Sequence, residues 1–131
     1  MFIKIFNRDD CHHGFQFHDG LNVDTVPFNP NGTCQPGGLY FTTKKHVCEF
    51  LDFGSFVREV TVPDDAIVYH EDRKSKADRL FLHERRSLAE AETWDWLIKA
   101  GADVHADNDC AIRWASEHGH TSVVELLKKH G

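Results

Sequence analysis

Thiol and imidazole groups, which can bind metal ions or act as a nucleophile and its base, are concentrated near the start of the chain. They are Cys11, His12, His13 and His18, and Cys34 follows in a segment rich in proline and glycine. Thiolate and imidazole are zinc ligands. Adjacent residues of a strand point to opposite faces, so His12 and His13 are poorly placed to share one ion. The spacing therefore disfavours zinc, and we expect no metal.

A Cys–His nucleophile pair, such as Cys34 with His13, is a second possible chemistry, because a neighbouring base promotes thiolate formation. Nothing in the spacing aligns these two side chains, and buried structural cysteines are commoner. The four cysteines, which include Cys48 and Cys110, form no C-x-x-C motif, and the N-terminus lacks the apolar core of a signal peptide. We therefore expect free thiols and an intracellular, reducing location.

The composition is that of an ordinary globular domain. The chain has 131 residues, a formal net charge of -6, ten histidines, 40% hydrophobic residues and 27% charged residues. Nucleic-acid binding needs a concentrated positive surface, so this charge argues against a nucleic-acid partner. No stretch approaches the roughly 18 apolar residues of a membrane span, which argues against a membrane partner.

Residues 34–53 form the predicted centre of the fold. Gly37-Gly38 indicates a turn, the next three residues have strand chemistry, and Thr42 or Thr43 can cap a short helix. Because glycine has no Cβ, the pair would also let another backbone or a flat ligand approach closely. A simple tight turn is the alternative.

The rest of the first 86 residues shows short strand patterns separated by turns. Apart from the central strand, these patterns lie at residues 1–6, 14–18, 56–62, 66–69 and 78–82. Residues 21–38, rich in Pro, Asn and Gly, predict a long ordered loop. The predicted fold class is α+β: a small, mostly antiparallel sheet of about six strands around one central helix, with a helical hairpin packed on it.

The hydrophobic period changes from 2 to 3.6 after residue 86. Ser87 and Glu90 fit a capping box before an apolar helix, Asp109 is placed to cap a second helix, and Thr121 or Ser122 can open a third. We therefore divide the chain into an α+β domain, residues 1–86, and a helical unit, residues 87–131.

The helical unit resembles ankyrin repeat sequence. The matching features are Ala115, the Gly119-His120 turn and the Val123-Val124-x-Leu126-Leu127 run, and residues 94–104 look like the second half of a preceding repeat. Asp109-Cys110-Ala111-Ile112 replaces the family's T-P-L-H motif, a variant that resembles ankyrin proteins of giant DNA viruses of the mimivirus type.

Residues 1–86 are similar to the uncharacterised domain that precedes the repeats in those viral proteins. The motifs that carry this resemblance are His12-His13-Gly14-Phe15-Gln16, Gly20-Leu21-Asn22, Gly37-Gly38-Leu39-Tyr40-Phe41-Thr42, Arg58-Glu59-Val60 and Lys76-Ala77-Asp78. The resemblance implies a protein-interaction module in the host cytoplasm or the virion, with an unidentified target. Ankyrin units usually contact partners through inner helices and turns, so the implied partner-binding residues are His105, Asn108, Asp109, Arg113 and His120.

One to one-and-a-half repeats cannot bury their own apolar faces, because about three stacked repeats are normally required. We therefore expect the domain of residues 1–86 to pack against Trp94, Trp96 or Leu97 in place of the missing repeats. A sequence cut from a longer array is the alternative.

A second resemblance is to poly(ADP-ribose) polymerases and related ADP-ribosyltransferases. His13-Gly14, Gly38-Leu39-Tyr40-Phe41 with the following helix, and a late strand headed by Asp78 appear in the family's order. This resemblance implies NAD as cofactor, with His13, Gly14, Gly38 and Tyr40 in the pocket and Asp78 as the catalytic acid. The family has Glu where this chain has Asp78, and Glu59 and Glu71 are alternatives. An inactive NAD-binding pocket therefore fits as well as an enzyme.

Overall fold

The computed structural model describes residues 2–12, 14–30 and 37–130. Ten strands come in the order β1 (Phe2–Phe6), β2 (Cys11–His12), β3 (Phe15–Gln16), β4 (Gly20–Val23), β5 (Leu39–Thr43), β6 (Phe56–Thr61), β7 (Val68–His70), β8 (Ser75–Ala77), β9 (Arg79–Leu82) and β10 (Arg86–Ser87). A 3-10 helical segment, Lys44–Phe53, follows β5, and we call it the central segment. Three α-helices complete the chain: α1 (Ala91–Lys99), α2 (Ala106–Glu117) and α3 (Thr121–Lys129).

Eight of the strands form one antiparallel sheet. Its order is β4-β9-β6-β1-β5-β8-β7, with β10 beside β6, while β2 and β3 form a separate small hairpin. The predicted α+β class is therefore confirmed. The predictions of a small sheet and about six strands are wrong, because strands as short as β8 and β10 are too brief to show an alternating pattern.

The predicted loop over residues 21–38 is also partly wrong. Its first residues belong to β4, which pairs with β9 from Gly20↔Leu82 to Val23↔Arg79. Asn22 is fully buried, and its side-chain amide donates to the carbonyl oxygens of His18 (2.9 Å) and Gly20 (3.0 Å). Asparagine weakens the strand signal in the sequence, and here its hydrogen bonds within the turn offset that intrinsic preference.

The predicted central α-helix is not confirmed. The central segment is 3-10 helical and interrupted at His46, whose φ of -104° and ψ of 16° are not helical. Its apolar residues Val47, Cys48 and Leu51 are nevertheless buried, as the sequence pattern requires. The segment therefore packs like a short amphipathic helix without regular α-helical geometry.

Strand β1 separates two hydrophobic cores because its side chains alternate between the faces of the sheet. Ile3 and Ile5 lie in the first core, whereas Phe6 lies in the second with Leu39, Phe41 and other residues of the sheet. β1 is consequently buried on both faces, and all of its residues except Lys4 are apolar.

The first core joins the sheet to all three helices. Trp94 and Leu97 of α1 are fully buried in the same cluster as Ile3 and Val57 of the sheet. The indole Nε1 of Trp94 donates to the carbonyl oxygen of Leu88 (2.8 Å). The prediction that the first part of the chain packs against Trp94 or Leu97 is confirmed.

Two predicted helix starts differ from the structure. α1 begins at Ala91, and Ser87 lies in β10, where its hydroxyl accepts from the N–H of Ala89 (3.2 Å). α2 begins at Ala106, and Asp109 lies inside it with a φ of 57°, so Asp109 is not the cap. Within the described ranges, no helix has the length and apolar character needed to cross a bilayer.

A disulfide between Cys48 and Cys110 links the central segment to α2. The two cysteines are 62 positions apart in the sequence, but the fold brings their Cα atoms to 5.9 Å. The expectation of free thiols is therefore wrong for this pair, because wide spacing in sequence does not report proximity in the fold. Cys11 is a free thiol, and Cys34 lies outside the described residues.

Removing this disulfide should destabilise the whole chain. A crosslink that closes a loop of this size stabilises a protein by about 2–4 kcal/mol. We expect Cys110→Ser to lower the free energy of unfolding by that amount in urea titrations. Reductant should lower the free energy of unfolding of the wild type equally and leave that of the variant unchanged.

Cys11→Ser is the matched control and should respond to reductant as wild type does. Peptide mapping without reduction should recover a fragment that joins Cys48 to Cys110. Absence of that fragment, together with an unfolding midpoint that reductant does not move, would contradict the assignment.

Candidate functional site

A pocket opens where two neighbouring strands of the sheet separate. The ladder between β1 and β5 contains the pairs Phe2↔Thr43 and Ile3↔Thr42 and ends there. The pocket has a volume of about 70 Å³, and its lining comes from both strands, the central segment, β2 and the turn between β7 and β8: Lys4, Ile5, His12, Tyr40, Phe41, Thr42, Phe50, Phe53 and Lys74.

The walls of this pocket are largely aromatic. The rings of Phe50 and Phe53 lie 5.9 Å apart in a stacked arrangement, and the imidazole of His12 lies 5.4 Å from the ring of Phe53. Tyr40 is half-buried, and the ammonium of Lys74 lies 4.4 Å above the centre of its ring. Such walls suit a planar apolar group.

Lys4 is the buried cationic group of the pocket. Its side chain is 6% exposed, and its Nζ donates to the carbonyl oxygen of Tyr40 at 2.7 Å, where the β1–β5 ladder has ended. The same nitrogen lies 5.1 Å from the centre of the Phe17 ring and 5.7 Å from that of Phe6. Among the described residues, no carboxylate offsets the effect of burial on the charge of Lys4.

Burial, and to a smaller extent the positive charge of Lys74, lower the pKa of Lys4 to about 7. Taking an ammonium out of water disfavours its charged form unless an anion compensates. Lys4 therefore changes charge near neutral pH, which is uncommon for lysine and characteristic of functional sites.

Few of the residues predicted for an NAD site meet in this pocket. Tyr40 lines it, whereas Gly14, Gly38 and Asp78 do not, and His13 lies outside the described residues. Asp78 follows β8, and its carboxylate accepts from the backbone N–H of Ile67 at 2.8 Å.

The two alternative acids have no better position. Glu59 lies opposite Ile3 in the β1–β6 ladder, and Glu71 lies in the turn between β7 and β8, where its N–H donates to the carbonyl oxygen of Lys74. Neither acid lines the pocket beside Tyr40.

The double glycine does permit close approach, but to protein atoms. A Cβ on Gly37 would collide with the carbonyl oxygen of Pro27, and one on Gly38 would lie 2.6 Å from the side chain of Lys76. The N–H of Gly38 donates to the carboxylate of Asp24 at 2.7 Å. The close approach expected at the double glycine is therefore present, and the approaching atoms belong to Pro27, Asn29 and Lys76.

The predicted partner-binding residues occupy separate places on the helical part. His105 Nδ1 and Asp109 Oδ1 lie 2.6 Å apart, and the carboxylate raises the pKa of His105. His120 lies against the ring of Trp114 at 5.3 Å. Asn108 is within α2, and its side chain lies outside the described residues.

Arg113 is exposed in a groove between α2 and the central segment, beside the disulfide. The other charged residues that line this groove are Glu49, Asp52, Arg73 and Glu117. Arg73 Nη1 and Glu49 Oε1 form an ion pair at 3.0 Å. The groove therefore presents both signs of charge.

Among the described residues, no group of three or more His, Cys, Asp or Glu side chains converges as a metal site would require. His13 and Cys34, two members of the zinc alternative, lie outside those residues.

Sequence reasoning missed Lys4 and Lys74. A signal for Lys4 was present, since it stands at the middle of Phe-Ile-Lys-Ile-Phe, a run typical of a strand buried on both faces. Lys74 lies in a charged loop and carries no comparable signal.

Comparison with known proteins gives relatives over nearly the whole chain. A protein of Acanthamoeba polyphaga mimivirus, named as an ankyrin repeat protein, is 37% identical over 99% of this chain and 67% of its own length. The chain belongs to this family of mimivirus ankyrin repeat proteins.

Two further relatives come from the same virus. One, also named as an ankyrin repeat protein, is 35% identical over 98% of the chain, which spans only 40% of that relative's length. The other, named as an uncharacterised protein, is 33% identical over 97% of the chain and 96% of its own length.

No family model and no solved structure matches the chain. None of these comparisons supports the resemblance to ADP-ribosyltransferases.

Replacing Lys4 by an apolar side chain of similar length should stabilise this mimivirus family member. We expect Lys4→Met to raise the free energy of unfolding at pH 7 by an amount on the order of 2 kcal/mol, because a buried cation without a counter-ion is removed. Urea titrations at several pH values measure this difference. Lys129→Met, at an exposed position, is the control and should change the free energy of unfolding little.

The gain should shrink as pH rises. Folded Lys4 loses its proton near pH 7 and the unfolded side chain near 10.5, so between these values the unfolded wild type binds more protons. Wild-type stability therefore rises relative to the variant across that window. A Lys4→Met chain that is less stable at pH 7, or a difference that does not vary with pH, would contradict the account of Lys4.

Proposed function

We propose that the chain is a protein–protein interaction module of a giant-virus ankyrin-type protein. The observation that carries this proposal is the 37% identity to a mimivirus protein named as an ankyrin repeat protein, over 99% of the chain. Ankyrin units present rigid helical surfaces to other proteins, so family membership supports a protein partner.

The packing of α2 and α3 supports an ankyrin-type hairpin. Ala111 and Ala115 of α2 are fully buried, which allows α3 to approach closely, and Val123 and Leu127 of α3 fill the core beside them. A turn that contains Gly119 connects the two helices. In this proposal residues 87–131 form the ankyrin-type unit, and residues 1–86 cover it.

We place the partner at the groove that contains Arg113. The groove runs between α2 and the central segment, and the disulfide holds its two sides together. A preorganised surface lowers the entropic cost of binding. Its paired and exposed charges suit a polar protein surface better than a nucleic acid, which would need a uniformly positive groove. His105, Asn108, Asp109 and His120 would then border the contact surface.

Reversing the charge of Arg113 should weaken partner binding. We expect Arg113→Glu to reduce recovery of specific partners at least tenfold in affinity capture from infected cells quantified by mass spectrometry. Truncation or reversal of a central arginine in an interface commonly costs more than 1 kcal/mol.

Lys129→Glu makes the same charge change at an exposed position of α3 and should leave recovery unchanged. Both variants should unfold cooperatively on heating, which would show that neither substitution prevents folding. If Arg113→Glu and wild type recover the same proteins in equal amounts, the groove is not the contact surface.

A further inference from the structure

The two cations that face each other across β1 and β6 have opposite surroundings. Lys4 and Arg58 are directly paired in the ladder, and both lie over the ring of Phe6. Arg58 forms ion pairs with the carboxylates of Asp10 and Asp19 and donates to the carbonyl oxygen of His83 at 2.8 Å. Lys4, equally buried, donates to a carbonyl oxygen and has no ion pair with a described carboxylate.

The fold thus neutralises one buried cation and leaves the other facing a pocket. Burying an ammonium without an anion costs folding free energy, and a packed methionine or leucine at this position would avoid that cost. Lys74 contributes a second positive charge beside Lys4, and none of the described residues that line the pocket is acidic. A small anion entering the pocket would therefore meet the buried ammonium of Lys4 in a positive electrostatic environment.

The walls restrict which anion fits. Ile5, Phe41, Phe50 and Phe53 are apolar, and the pocket, of about 70 Å³, accommodates the head of a ligand. A hydrated inorganic anion would gain little from such walls, whereas a carboxylate attached to a planar apolar body would gain contact with them.

We propose that the pocket between β1 and β5 binds small carboxylates that carry a planar apolar body. The carboxylate accepts a hydrogen bond from the ammonium of Lys4 and pairs with Lys74, and the apolar body lies against Phe50 and Phe53. This site is separate from the Arg113 groove, so its test is independent of the partner proposed there.

Binding takes up a proton whenever Lys4 is neutral beforehand. With a pKa of about 7 in the empty pocket, Lys4 is about 90% charged at pH 6 and about 10% charged at pH 8. An anion stabilises the charged form, so affinity should fall about tenfold from pH 6 to pH 8.

The other charged or titratable groups around Lys4 are Lys74, Tyr40, His12 and, across the ladder, Arg58. Of these side-chain types only imidazole ordinarily changes charge between pH 6 and pH 8. His12→Gln therefore separates the contribution of His12 from that of Lys4.

Benzoate and its neutral analogue benzamide are the probes, measured with the full chain by isothermal titration calorimetry. We expect benzoate to bind wild type at pH 6, about tenfold more weakly at pH 8, and at least tenfold more tightly than benzamide. Lys4→Met should bind benzoate at least tenfold more weakly and lose the dependence on pH, whereas His12→Gln should keep it.

Titrations at pH 7.5 in buffers of different ionisation enthalpy measure proton uptake without any substitution at Lys4. We expect uptake of more than half a proton per benzoate bound in wild type and in His12→Gln. These measurements decide the question even if Lys4→Met does not fold. Equal affinity for benzamide, no heat with millimolar benzoate, or binding without proton uptake would overturn the proposal.

Discussion

The fold depends on one hydrophobic core shared between the sheet and the helices. The three helices contain nine, twelve and nine residues, lengths at which an isolated helix is marginal in water. Trp94 and Leu97 satisfy this constraint, because they are buried between Ile3 and Val57 of the sheet and the inner faces of α2 and α3. The sheet thus supplies the apolar surface that the short helices cannot supply for one another.

The same constraint determines where functional surfaces can lie. Because β1 is covered on one face by the helices and on the other by the second core, a polar side chain on it must find a partner within the protein. Arg58 on the adjacent strand forms ion pairs with carboxylates. Lys4 donates to the carbonyl oxygen of Tyr40 and lines the pocket between β1 and β5. A groove beside Arg113 lies between α2 and the central segment, where the disulfide joins these two elements.

Much of the architecture is visible in local sequence patterns. The Leu39-Tyr40-Phe41 run belongs to strand β5, and the change of hydrophobic period near residue 87 precedes α1, which begins at Ala91. These features follow from alternation and amphipathicity, which depend on neighbours in the chain. The burial of Trp94 and Leu97 was predictable because short helices with apolar faces need another surface to cover them.

The unpredicted features depend on contacts between distant segments. The disulfide requires Cys48 and Cys110 to meet across 62 positions, and no local pattern records that meeting. Asp109 has the chemistry of a cap, but the helix starts at Ala106. Of the described residues predicted for the NAD site, Tyr40 alone lines the pocket, because residues such as Gly38 and Asp78 occur in turns as readily as in ligand sites.

Native-state hydrogen exchange tests the shared core most directly. If the sheet and the helices depend on one core, then the slowest amides of β1, β6, α1 and α3 should exchange with the same opening free energy, and denaturant should lower it with the same slope. The amides of α2 and α3 could instead exchange through an opening whose free energy is several kcal/mol lower, while β1 and β6 stay protected. That result would show that the helices unfold separately from the sheet and would contradict this account.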